Sequence, residues 1–136
     1  MHKNAGKLLI RLADICSRLR AENGCLWDRE QTHKSLIKCL REESEEVVQA
    51  IKNKDPENLR EELGDLLYQV IFHSQIASEN KQFTLEDVIS DIMEKIIRRH
   101  PHIFAGTKVS SVKDILDNWE IIKKQEKKIK KPGKKR

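Results

Sequence analysis

Apolar and polar positions follow the helical period over most of this chain, with few stretches that alternate like a strand. Leu8, Leu12, Ile15 and Leu19 recur about one turn apart and predict a first helix over residues 5–22, stopped by Asn23-Gly24. After the loop GCLWDREQT, Thr32 predicts the cap of a second helix reaching about Asn53. Asp55-Pro56 supplies an N-cap with proline at the first helical position and opens a third helix to about Asn80. The connection between these two is short, so they are expected to lie antiparallel. Thr84 with Asp87 has the form of a capping box and opens a fourth helix to about Arg99, stopped before Pro101. A fifth helix from about Val112 runs into a lysine-rich tail. The expected fold class is all-α, an antiparallel four-helix core with an additional C-terminal helix and a basic tail; five Gly and three Pro in 136 residues leave little room for a turn-rich β architecture. The domain is expected over residues 1–126, with a basic tail over 127–136 that Pro132-Gly133 predicts to be disordered.

Acids break the apolar pattern in two places. On the second helix Leu36, Leu40, Glu43, Val47 and Ala50 recur at steps of four and three, so Glu43 occupies a core-facing position. Glu46 lies at the edge of that stripe, Glu42 further round, and Glu45 on the opposite side. On the third helix Leu59, Leu63, Leu66, Leu67, Val70 and Ile71 form the main apolar arc, while Phe72 and Ile76 extend apolar surface beyond the other edge. Between the arcs runs a polar stripe of Glu62, Asp65, Gln69 and His73, the pattern of a lined internal cleft. Gly64 costs about 1 kcal/mol relative to Ala within a helix and predicts close approach of a neighbouring backbone.

Charge runs are ordinarily solvated helix faces, and Glu45, Glu57 and Glu61 keep that reading. Glu43, Glu46, Glu62 and Asp65 do not, because two pairs of acids on adjacent antiparallel helices bring like charges together in partly desolvated surroundings. A cation is needed to compensate them. All-oxygen ligands favour a hard ion, Mg²⁺ or Mn²⁺, that also binds phosphates. A di-iron centre would want a Glu-x-x-His element on each of two core helices, whereas the Glu-x-x-His here is Glu30 to His33 at a loop-to-helix boundary.

Net charge is +5 and the pI about 9.1, but Lys123 to Arg136 alone carries +8 and the remainder of the chain −3. The basicity belongs to the tail. It allows weak, non-specific contact with nucleic acid and argues against a nucleic-acid-binding body. Cys16, Cys25 and Cys39 form neither a disulfide framework nor a zinc knuckle, which predicts a reducing, cytoplasmic setting. The N-terminus lacks the apolar run of a signal peptide, and no stretch approaches the roughly 20 apolar residues of a membrane span.

With these residues in place, the sequence closely resembles the MazG-like nucleoside triphosphate pyrophosphohydrolases of the all-α NTP pyrophosphatase superfamily, over about residues 7–124. The family's ExxE then ExxD motif matches Glu43 and Glu46 with Glu62 and Asp65, fifteen residues separating the halves. The flanks GCLWDREQTH, residues 24–33, and EKIIRRHPHIF, residues 94–104, match as well, with Leu26 where the family usually has proline. The resemblance implies Mg²⁺-dependent hydrolysis of a nucleoside or deoxynucleoside triphosphate to its monophosphate and pyrophosphate. It implies Glu43, Glu46, Glu62 and Asp65 as metal ligands, and makes Glu42 a candidate for a second metal or for orienting the water. Lys95 and Arg99 lie one turn apart, with Arg99 inside the arc of Val88, Ile89, Ile92, Met93 and Ile96. By resemblance Lys95, Arg98 and Arg99 contact phosphates; Arg98 otherwise snorkels at the surface. Trp27 either stacks a base or closes the core, and His100 and His102 bracket Pro101 as structural residues. The family also implies a homodimer or a dimer-based tetramer. The competing reading is a catalytically silent copy that acts as a dimerisation or regulatory module, because the chain resembles the first domain of a two-domain relative.

Overall fold

A computed structural model describes residues 1–130, and among the described residues the chain is all-helical. The helices are α1 (Ala5–Leu19), α2 (Leu26–Glu30), α3 (Ile37–Lys52), α4 (Pro56–Glu79), α5 (Leu85–Arg98), α6 (Pro101–Phe104) and α7 (Val112–Ile129). The five predicted helices are present, joined by two short ones, α2 and α6. These lie in segments whose length is too small for a periodic pattern to register. The residues group into two compact units, Met1–Glu86 and Asp87–Arg136. α7 continues to Ile129, so residues 127–129 of the expected tail are helical, and residues 131–136 with Pro132-Gly133 lie outside the described residues.

In the first unit α4 packs against α3 and α1. The α3–α4 turn is set by local chemistry. Lys54 adopts the left-handed conformation with φ +52°. The amides of Lys54 and Asp55 then donate to the carbonyls of Ile51 (3.1 Å) and Ala50 (3.2 Å), which closes the C-terminus of α3 in a Schellman arrangement. Asp55 starts α4 in the next step, its carboxylate accepting from the Asn58 amide at 3.2 Å with Pro56 in the first turn. Lys81, with φ +57°, ends α4 by the same device. At the end of α1, a Cβ on Gly24 would run into the Leu19 carbonyl oxygen, so this position demands glycine.

Thr32 does accept from the Ser35 amide at 3.0 Å, as an N-cap would, but it caps a turn over residues 33–36 and α3 itself begins at Ile37. The apolar faces also differ from expectation. On α1, Leu9, Leu12, Ala13 and Cys16 meet the core, while Leu8 and Ile15 are more than half exposed. On α4, Ile71, Phe72, Ile76 and Ala77 are buried, whereas Leu63, Leu67 and Val70 of the predicted main arc stand 41–48% exposed. α1 covers the C-terminal half of α4 and leaves that arc open. Among the described residues Gly64 has no neighbour within reach of a Cβ, so the predicted close approach is not formed there.

In the second unit, Ser111 caps α7 by accepting from the Asp114 amide at 3.2 Å. The His100 ring stands edge-on to Trp119 at 5.4 Å between centroids, and its Nδ1 lies 2.7 Å from the Ile96 carbonyl. Both histidines around Pro101 are thus part of the packing at the α5–α6 corner. No helix of the described residues is long and apolar enough to cross a membrane.

Candidate metal centre

The α3–α4 hairpin brings its acids together by register. Glu46 and Glu62 each lie eight residues from Lys54 at the turn, and Glu43 and Asp65 each lie eleven residues from it. Two antiparallel helices joined at that point place the members of each pair opposite one another, and steps of three along each helix keep both pairs on one face. One carboxylate oxygen from each of Glu43, Glu46, Glu62 and Asp65 lies within 4.8 Å of all the others.

Burial differs around the cluster. Glu62 is buried, Glu43 half-buried, and Glu46 and Asp65 exposed, so the group forms a cup open on one side. Among the described residues none of the four joins an ion pair, and the buried oxygens Glu43 Oε2 and Glu62 Oε2 have no hydrogen-bond partner. Like charge and burial act on both acids. A hydrogen bond with Glu46, followed by burial, pushes Glu62 up to about 7. Burial first, then the charges of Glu46 and Asp65, raise Glu43. Orphaned buried oxygens converging with two exposed carboxylates fit a hard divalent cation. Glu42 lies outside this group; it is exposed, with Lys38 3.9 Å away.

The remaining residues singled out in the sequence fall in two places. Trp27 sits on α2 and is 55% exposed, so it does not close the core. Leu26 occupies the first position of α2, where proline is favoured but not required, and Cys25 still accepts from the Arg29 amide at 2.9 Å. Lys95, Arg98 and Arg99 line a cavity of about 500 Å³ in the second unit with Glu126 and Lys130. Glu126 accepts from Arg98 Nε at 2.6 Å and from Arg99 Nη2 at 2.8 Å, and this pairing, Arg99 first, holds its carboxyl down at about 2.

Two contacts escaped the sequence. His33 and His73 meet through their Nδ1 atoms at 2.8 Å, rings stacked with centroids 5.1 Å apart, so one ring donates and the other accepts. Burial, then His33, lowers the His73 pKa. His73 was legible as the end of the polar stripe on α4, but nothing local marks His33 as its partner. Gln69, next on that stripe, is buried with Oε1 unpaired. The second contact centres on Arg20, which joins α1, α2 and α4.

Comparison with known proteins bears on this geometry. The MazG nucleotide pyrophosphohydrolase domain matches residues 31–104, which hold all four clustered acids and Lys95, Arg98 and Arg99. The chain is 50% identical over 125 residues to the nucleoside triphosphate pyrophosphohydrolase/pyrophosphatase MazG of Thermotoga maritima, covering 92% of this chain and 48% of that protein. It is 45% identical over 117 residues to the nucleoside triphosphate pyrophosphohydrolase of Escherichia coli, covering 85% of this chain and 44% of that one. It thus spans about half the length of these relatives. In structure it is similar to the crystal structure of a mazG-related protein from Thermotoga maritima, with a TM-score of 0.70 and 35% identity over 84% of this chain and 97% of the other. With the domain match covering more than half of its length, and with this likeness in structure, the chain belongs to the MazG nucleotide pyrophosphohydrolase domain family.

Proposed function

We propose that this chain hydrolyses nucleoside or deoxynucleoside triphosphates to the monophosphate and pyrophosphate, using Mg²⁺ or, as a substitute, Mn²⁺. The observation that carries this reading is the convergence of Glu43, Glu46, Glu62 and Asp65 within 4.8 Å from both arms of the hairpin. These four hold the ion, and Glu42 serves a second ion or orients the water. When bound, the metal neutralises phosphate charge and lowers the pKa of its water. The chain's own contribution is to hold the acids in place, with Glu62, pushed up to about 7 by its hydrogen bond with Glu46 and by burial, giving up its proton near neutral pH. Lys95, Arg98 and Arg99 bind phosphate oxygens, with Glu126 holding the two guanidinium planes in fixed orientation. The exposed indole of Trp27 stacks the base.

The working form is a homodimer or a dimer-based tetramer in a reducing cytoplasm. The exposed row of Leu63, Leu67 and Val70, beside the open space at Gly64, supports a second copy on that face, and the three cysteines are free. Incubation with Mg²⁺ and mixed triphosphates is expected to yield monophosphate and pyrophosphate. Orthophosphate with a diphosphate product contradicts the cleavage position. The alternative is a catalytically silent dimerisation or regulatory module; a folded dimer that binds Mg²⁺ saturably without turnover favours it.

A further inference from the structure

Helix α2 has five residues, too few to persist on its own propensity. One side chain supplies what it lacks. Arg20, one turn beyond the core residue Cys16 at the end of α1, donates from Nη1 to the carbonyl oxygens of Asp28 (2.6 Å) and Gln31 (3.0 Å), at the C-terminal end of α2. Its other edge donates from Nε and Nη2 to the two carboxylate oxygens of Glu79 near the end of α4, each at 2.8 Å. The guanidinium carbon stands 5.4 Å from the centroid of the buried Phe72 ring, and the Arg20 side chain is 8% exposed. Glu79 is held in turn by Gln75 Nε2 at 3.0 Å. A lysine cannot reproduce this, because a point charge lacks the planar fork that serves Glu79 and two carbonyls at once.

What the clamp holds is not core. The large side chains of α2 are Leu26, 73% exposed, and Trp27, 55% exposed. Gln31 Nε2 adds a bond to the Trp27 carbonyl at 2.9 Å, fixing the backbone under the indole. A largely buried charge therefore immobilises a helix whose apolar side chains face water, and whose chain leads directly into α3 with Glu43 and Glu46. A rigid exposed indole is a stacking face for a planar ring.

We propose that Arg20, braced by Glu79, is a positioning residue that holds Trp27 as the stacking face for the base of the nucleotide; this rests on the reading of Trp27 given above. The experiment uses Trp119→Phe, which leaves Trp27 as the only indole. Its emission is followed during titration with Mg²⁺ and the α,β-methylene analogues of the four common nucleoside triphosphates, alongside steady-state hydrolysis of the triphosphates. Trp27 emission is expected to change on binding. Arg20→Lys and Trp27→Ala are each expected to raise KM about ten-fold with kcat within about three-fold, as loss of a stacked base requires. Combined, they are expected to cost no more than either alone. Should Arg20→Lys not fold, Glu79→Gln loosens the brace while keeping both carbonyl bonds, and a smaller rise in KM is expected. No emission change at saturating analogue overturns the proposal, as does an Arg20→Lys effect that persists undiminished in the Trp27→Ala background. An emission change without turnover in the parent protein removes the hydrolase reading and leaves the clamp standing; turnover without an emission change does the reverse.

Discussion

The acids of the α3–α4 hairpin and the bases of α5 are both crowded charges, and they differ in what faces them. Glu43, Glu46, Glu62 and Asp65 face one another, and Glu62 responds by holding its proton up to about 7. Arg98 and Arg99 face Glu126, whose carboxyl is held down at about 2. One cluster is compensated within its own unit of the fold and the other is not. Compensated charge contributes to stability, whereas uncompensated charge at a partly buried site has to be answered by something that binds. The contrast explains why the hairpin, and not the α5 corner, is the place to look for a metal.

The largest expected effect tests the uncompensated side. On the proposed reading Glu43→Gln or Asp65→Asn removes a ligand and also relieves repulsion, so turnover should fall about 100-fold or more while the metal-free protein melts no lower than the parent. Thermal unfolding with EDTA and with excess Mg²⁺ checks this: metal should raise the parent midpoint and barely move the variant's. A metal-free variant that melts far below the parent, with the metal response intact, would mean that the acid is structural.

The next effect separates the two clusters by pH. Glu62 has a folded pKa of about 7 against an ordinary 4.5, so the unfolded chain ionises first. The stability of the metal-free protein should therefore decline as pH rises from 4.5 through about 7, and Mg²⁺ should cancel the decline. Glu126 runs the other way. Its folded pKa of about 2 gives stability that is fully present above 4.5 and lost as pH falls through about 2. Unfolding across pH for Glu62→Gln should flatten the upper window alone, and for Glu126→Gln the lower window alone. A variant that flattens both would show that the clusters are coupled.

The smallest effect concerns the turn that sets the register of the acids. Lys54 pays the left-handed backbone penalty at φ +52°. Lys54→Gly should raise stability by up to about 1 kcal/mol, measured by denaturant unfolding, and leave turnover unchanged. A change in metal affinity would indicate that the turn shapes the cluster beyond its register.

Much of this was legible locally. Asp55-Pro56 and the helical period placed the long helices, because caps and period are properties of residues three or four apart. The acid cluster was legible for the same reason: a short turn converts spacing along two helices into opposition across them, so Glu43, Glu46, Glu62 and Asp65 could be paired without coordinates. The faces were harder. Leu8 and Ile15 fit the period of α1 as well as Leu9 and Cys16 do, and only packing chose between them. On α4 the sequence shows two apolar arcs, and α1 decided which one became core and which stayed open around Gly64.

By itself, then, the sequence determined an all-helical chain, the hairpin and its carboxylate register, because these depend on local backbone preferences and short connections. Tertiary structure alone decided that Arg20 would span α1, α2 and α4, that His33 would stack on His73, and that Glu126 would claim Arg98 and Arg99. Those partners lie 59, 40 and 28 or 27 residues apart. No local pattern selects one distant partner over another of the same charge; that choice is made when the helices pack and bring particular donors and acceptors within reach.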